Sequence, residues 1–220
     1  MCFSPQGDLI GGAVVTVIGI DAFRQTAGRT GHLLLGGLPL LLGAHQIDES
    51  LVWWSLQGHV SAPVGRLAMW IYLVIALLVV PVLVPVAILR LEPTWRRRWR
   101  IAPFVTLGLG VAGALLEAMV RGPVTVTMGS YHLAYSIALR HGIVIVSLYV
   151  VATCGALLAS SYRHIVLFGV VNLVAVAVLA RLTADGFASL WCFYAAVASG
   201  AIWLHMRFAR NHRAHPYALT

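Results

Sequence analysis

Seven stretches of this chain stay apolar for about the length of a membrane-crossing helix, and only short connections separate them. They cover residues 5–23, 33–56, 67–89, 101–120, 142–160, 165–182 and 188–208. A spanning helix needs roughly 20 predominantly apolar residues. The first stretch is the weakest, because Asp8 and Asp21 bracket its apolar centre. Its start is well marked: Ser4 offers a hydroxyl N-cap, and Pro5 follows where no amide donor is needed. The chain is 60% hydrophobic and 10% charged, whereas a soluble domain carries about 25% charged residues. Too few polar residues remain to cover a water-facing surface. The sequence therefore predicts an all-α fold, a seven-transmembrane-helix bundle over residues 1–208, with a short basic tail over 209–220.

All 15 basic residues are arginine. The absence of lysine excludes Schiff-base chemistry with retinal or pyridoxal phosphate, which needs a lysine amine. The net charge of +8 belongs to loops rather than to a nucleic-acid surface. Arg24 and Arg29 follow the first stretch, "TWRRRWR" (94–100) precedes the fourth, Arg163 precedes the sixth, and Arg207, Arg210 and Arg213 end the chain. Cytoplasmic loops collect arginine, so the N-terminus is expected outside and the C-terminus inside, as an odd helix count requires. The expected partners are membrane lipids, with anionic headgroups at the cytoplasmic arginine clusters, and no nucleic acid. The opening MCFSPQGD lacks a basic n-region, so no cleavable signal peptide is expected. Oligomeric state is not legible.

Between Arg121 and Arg140, Val124, Val126 and Met128 alternate with Thr125 and Thr127, and Gly129 and Ser130 offer a turn before "YHLAYSI". That period is a strand's, so an outer β-hairpin between the fourth and fifth helices is one reading and an irregular loop the other. Pro39 interrupts the second helix, and Pro81 and Pro85 interrupt the third. Gly108, Gly110 and Gly113 predict close packing of the fourth.

"GAHQIDESLVWW" (43–54) is the polar exception. At 1.5 Å per residue, His45 stands roughly 18 Å beyond Leu33, just outside the bilayer midplane. Glu49, four residues on, shares its helix face. By this topology Glu117, His132 and His141 also fall in the outer half. Ionisable groups within a bilayer are costly, so they are paired or line a cavity. Imidazoles and carboxylates together suit a divalent zinc, iron or copper ion. The expected metal ligands are His45, Glu49, His132 and His141, with Glu49 and Glu117 as catalytic carboxylates. A hydrogen-bonded structural network and a proton or ion path are the other two readings. No HExxH spacing follows. Cys2 and Cys192 both fall on the oxidising side, where a disulfide between them would persist; Cys154 reads as apolar filler. The inner histidines His164, His205, His212 and His215 read as headgroup contacts.

The landmarks "MCFS" (1–4), "HQIDESLVW" (45–53), "GPV" (122–124), "YHLAY" (131–135) and "WCFYAA" (191–196) resemble, end to end, an uncharacterised bacterial family of integral membrane proteins. This chain departs from that pattern at Pro5, where alanine is usual, and at Ser50, where glycine is common. The resemblance implies the architecture, and a bacterial cytoplasmic membrane as the location, but no substrate. A more distant similarity is to seven-helix metal-dependent hydrolases that include alkaline ceramidases. It extends to helix count and topology only, since His205 and His212 do not match their paired histidines. The first functional expectation is a metal-binding, hydrolase-like membrane enzyme with an outward-facing His/Glu pocket. The alternatives are a small-solute or proton-coupled transporter and a non-catalytic sensor or assembly factor.

Overall fold

The computed structural model describes residues 4–129, 132–182 and 196–207. The chain is mostly helical, with one two-stranded sheet. In order come α1 (Pro5–Arg24), a 3-10 turn (Thr30–His32), α2 (Leu33–Leu56), α3 (Ala62–Leu73), a π-helical segment (Val74–Val79), α4 (Val80–Leu91) and α5 (Trp95–Arg121). Strands β1 (Val124–Met128) and β2 (Leu133–Ile137) follow, then α6 (Gly142–Leu158) and α7 (Arg163–Leu182). Residues 196–207 form a last helix, α8. Among the described residues, three helices are long and apolar enough to cross a membrane: Pro5–Arg24, the continuous Ala62–Leu91 and Trp95–Arg121; Gly142–Leu158 and Arg163–Val178 are apolar but shorter. The surface is correspondingly greasy, with Ile143 87%, Val120 72% and Val17 67% exposed. Water-soluble proteins rarely expose apolar area of this extent.

The Ser4 cap forms as expected, its hydroxyl accepting from the Gly7 N–H at 3.1 Å. The arginine run does not form a loop: Trp95 to Arg100 are the first two turns of α5, entered from extended Thr94. Arginine is a good helix former, and the strong charge signal concealed that. The hairpin is real. β1 and β2 pair antiparallel, with Val126 opposite Tyr135 and Met128 opposite Leu133.

Without a hydrophobic drive between helices in an apolar solvent, close backbone approach must supply the packing. The antiparallel α1–α2 pair does this. A Cβ on Gly12 would meet the Gly43 carbonyl at 2.9 Å, and one on Gly19 the Leu40 nitrogen at 2.6 Å. In α5 only Gly108 behaves as the glycine pattern suggests, lying against the Pro81 carbonyl; Gly110 and Gly113 have nothing within 4 Å of a built Cβ.

The prolines explain the π segment. Val80 N–H reaches back to the Ile75 carbonyl, and Pro81 has no N–H to give. The Ala76 carbonyl is thereby left without a donor from its own helix. Tyr149 on α6 supplies one, its hydroxyl donating at 2.7 Å. Buried carbonyls are rarely left unpaired.

Two apolar clusters bracket the bundle. One gathers Val52, Trp53, Met69, Tyr72, Met119 and Leu133 under the hairpin. The other joins Leu35, Leu38, Ile88, Ile101, Leu157, Ile202 and neighbours toward the arginine-rich end.

Candidate functional site

The face of α2 that turns inward carries His45, Gln46, Glu49 and Ser50, all buried, with His45 2% and Glu49 1% exposed. The i, i+4 spacing puts His45 and Glu49 one turn apart on that face. His45 does not meet the residues the sequence suggested. Its ring stacks on Tyr72 of α3 at 4.0 Å between centroids, and Tyr72 stacks on Tyr135 of β2 at 4.5 Å. The period-2 pattern of the hairpin aims Tyr135 and Leu133 at the bundle, so the hairpin closes over the site. Neither ring nitrogen of His45 has a hydrogen-bond partner within the protein, nor has Asp48 Oδ2. A buried imidazole must carry at least one N–H, and leaving it unmatched is costly.

The other expected members stand apart. Glu117 is 60% exposed and accepts from Arg121, one turn away. His141 is exposed and enters α6 in the left-handed region, φ 60°. His132 is half-buried beside the turn, its carbonyl accepting from Gly129 N–H at 2.8 Å. Among the described residues, no group of three or more His, Cys, Asp or Glu is arranged to hold a metal ion. Cys2 and Cys192 lie outside the described residues, as do His212 and His215. Cys154 is buried and free.

A carboxylate that sequence reasoning left at the helix end lies nearer the site. Asp8 is 2% exposed and sits on the α1 face that packs on α2. The contacts of Gly12 with Gly43 and Ile47 and of Gly19 with Leu40 set an antiparallel register that brings Asp8 level with Glu49 and Ser50. Nothing in local spacing could have revealed this, because it depends on helix pairing.

The opposite end holds a second polar set. His205 of α8 stacks on His164 at 4.3 Å and on His32 at 6.1 Å, with Tyr162 6.3 Å away edge-on. His205 Nε2 is buried without a hydrogen-bond partner. His164 heads α7, just ahead of the apolar run, and burial lowers its imidazole pKa from the ordinary value. Close by in the chain, Asp21 Oδ2 accepts from Gln25 Nε2 and from Trp203 Nε1, each at 2.6 Å. Glu92, 1% exposed, ends α4. Its Oε1 accepts from the Ser160 hydroxyl at 3.0 Å and the Ser161 N–H at 2.7 Å, tying the end of α4 to the connection between α6 and α7.

Between the two sets lies a cavity of about 70 Å³ lined by Leu35, Leu38 and Leu42 of α2, Thr153 of α6 and Asn172 of α7, among others. Leu42 is three residues from His45, and Leu35 three from His32. Asn172 is buried and its Oδ1 is without a partner. The space suits about two water molecules, given polar groups to hold them.

The model of a family described as "Family of unknown function (DUF6629)" matches residues 1–218. No curated protein and no solved structure matches the chain.

Proposed function

The chain belongs to the DUF6629 family of unknown function, so its activity must be read from its own residues, and we propose that it is a proton-coupled carrier in a membrane. In this reading all seven apolar stretches span, α3 and α4 counting as one, with the hairpin outside and the arginine-rich end in the cytoplasm. The location is the bacterial cytoplasmic membrane that the sequence resemblance implies. One observation carries the reading: a single face of α2 runs from buried His45 and Glu49, past a small cavity with Thr153 and Asn172, to the His32–His205–His164 stack. Buried ionisable groups in a bilayer mark substrate or proton paths. A neutral imidazole can give a proton from one ring nitrogen and take one on the other, and water in a polar-ended cavity can relay it. The cargo class that fits is a proton with a small polar solute.

In proteoliposomes under an imposed membrane potential, the wild type should move protons, read with an entrapped pH dye. His45→Gln, Glu49→Gln and His205→Gln should each lower the rate at least about tenfold, the scale lost when a proton-transfer group is removed. Glu117→Gln should leave it unchanged. A wild type no faster than empty vesicles, both alone and with a panel of small polar solutes outside, refutes the reading.

A second reading, a metal-binding hydrolase-like membrane enzyme, is supported by the two unpartnered nitrogens of His45 one turn from Glu49. It requires His132, His141 or Glu117 to approach them. Metal analysis of purified protein, wild type against His45→Ala, decides: a stoichiometric zinc, iron or copper lost in the variant favours the enzyme.

A further inference from the structure

A groove of about 620 Å³ runs between α5 and α6, lined by Pro103, Thr106, Gly110 and Ala114 on one side and Ile145 and Leu148 on the other. Its floor exists because Gly110 has no side chain, and nothing lies within 4 Å of where its Cβ would be. The Thr106 hydroxyl turns back to the Ala102 carbonyl at 3.3 Å, so the groove offers predominantly apolar surface. From Pro103 to Ala114 it extends roughly 16 Å along the helix, at 1.5 Å per residue. That equals about half of a hydrocarbon core near 30 Å thick, the depth of one leaflet.

The same helical face continues past Pro103 into the arginine run. At about 100° per residue, Arg96, Trp99 and Arg100 fall over the groove, while Arg97 and Arg98 fall to other faces. Arg98 is already engaged, its Nε donating to the Glu92 carbonyl at 2.9 Å. Arg96 and Arg100 are exposed, one turn apart, and neither has a hydrogen-bond or ion-pair partner among the described residues. The one acid within α5, Glu117, lies near its far end and is bonded to Arg121. Trp99 is 60% exposed and meets Trp95 edge-on at 5.5 Å, as tryptophans do at headgroup level.

We propose that this face binds one anionic phospholipid of the cytoplasmic leaflet, its phosphate held by Arg96 and Arg100 and one acyl chain lying in the α5–α6 groove. The charge specifies the occupant. A cationic mouth selects a lipid with net negative charge, and a predominantly apolar furrow one leaflet deep accepts a hydrocarbon chain. Arginine is the better headgroup ligand because its planar fork binds phosphate oxygens in pairs. The proposal rests on the membrane-spanning reading of α5, though not on proton transport.

Native mass spectrometry of the full chain, released from detergent with equimolar phosphatidylglycerol and phosphatidylcholine, tests it. The wild type should keep one phosphatidylglycerol, preferred roughly thirtyfold, since each of the two arginines favours an anionic surface by about fivefold. Arg96→Gln with Arg100→Gln should bring the preference close to one. Gly110→Leu, which fills open space, should lower retention of both lipids, and Ala114→Leu should do the same if the first variant is unstable. Arg97→Gln should change nothing. An unchanged preference in the double variant overturns the site, as does an equal loss in Arg97→Gln. So does a dimer of the chain that Gly110→Leu dissociates, since a second copy would then occupy the groove. A carbonate wash separates the underlying premise: release of the wild type into the soluble fraction refutes spanning itself. A membrane-retained protein without lipid preference refutes only the lipid site.

Discussion

At the level of single residues, position in the fold outweighs residue type. Glu92 and Glu117 are both glutamates near helix ends, yet one is sealed and the other is 60% exposed and paired within its own helix. Glu92 anchors two donors in the α6–α7 connection through one oxygen. Removing a buried acceptor leaves those donors unmatched. Glu92→Ala should therefore cost about 2–4 kcal/mol, read as a lower midpoint in thermal unfolding in detergent, whereas Glu117→Ala should lie within about 0.5 kcal/mol of wild type. Sequence alone favoured Glu117, because topology put it in the same half of the bilayer as His45. Depth in a membrane is legible from a chain's order of segments. Which way a side chain turns around its helix is not, since it depends on the neighbour that the helix meets.

Among elements, the π segment has an identifiable cause and a partner. Pro81 withholds a donor, the Ala76 carbonyl is left open, and Tyr149 fills it from α6. Tyr149→Phe should destabilise the protein by roughly 1 kcal/mol, and Pro81→Ala should make the same change close to neutral, because the helix then supplies its own donor. A double-mutant cycle measured by unfolding checks this; equal costs in both backgrounds would disprove the coupling. The hairpin was readable from the alternation of Val124, Val126 and Met128, and the helix starts from Ser4–Pro5. The helical nature of 95–100 was not, because arginine signals both a cytoplasmic loop and a stable helix. Nor was the role of Tyr72 and Tyr135, ordinary aromatics in sequence that the hairpin brings into a stack with His45.

For the molecule as a whole, the distribution of polarity is the organising fact. A buried polar set around His45 and a half-exposed one around His205 sit at opposite ends of a greasy bundle, joined along one face of α2. The histidine set around His205 escaped the sequence reading, which took His164 and His205 as headgroup contacts. His32, Tyr162, His164 and His205 come from three separate parts of the chain, and no spacing rule connects them. The pocket around His45 was half legible. His45 and Glu49 were evident from their spacing, whereas Asp8 enters only through the pairing of α1 with α2.

That pairing also bears on how the protein is made. α2 carries His45, Gln46, Asp48 and Glu49 and is not among the three helices apolar enough to cross a membrane by composition. Each acidic or basic residue at a helix centre opposes partition from the insertion channel by about 2.5–3.5 kcal/mol. α1 emerges from the ribosome first, with Gly12 and Gly19 shaped to meet α2 backbone to backbone. The two should leave the channel as a hairpin, the earlier helix escorting the later one into lipid. In a glycosylation reporter of insertion, α2 alone should insert poorly and α1–α2 together efficiently. Gly43→Leu, which blocks their contact, should return the pair toward the efficiency of α2 alone. An amino acid without a side chain would then be deciding, during translation, whether the residues of the polar site reach the membrane at all.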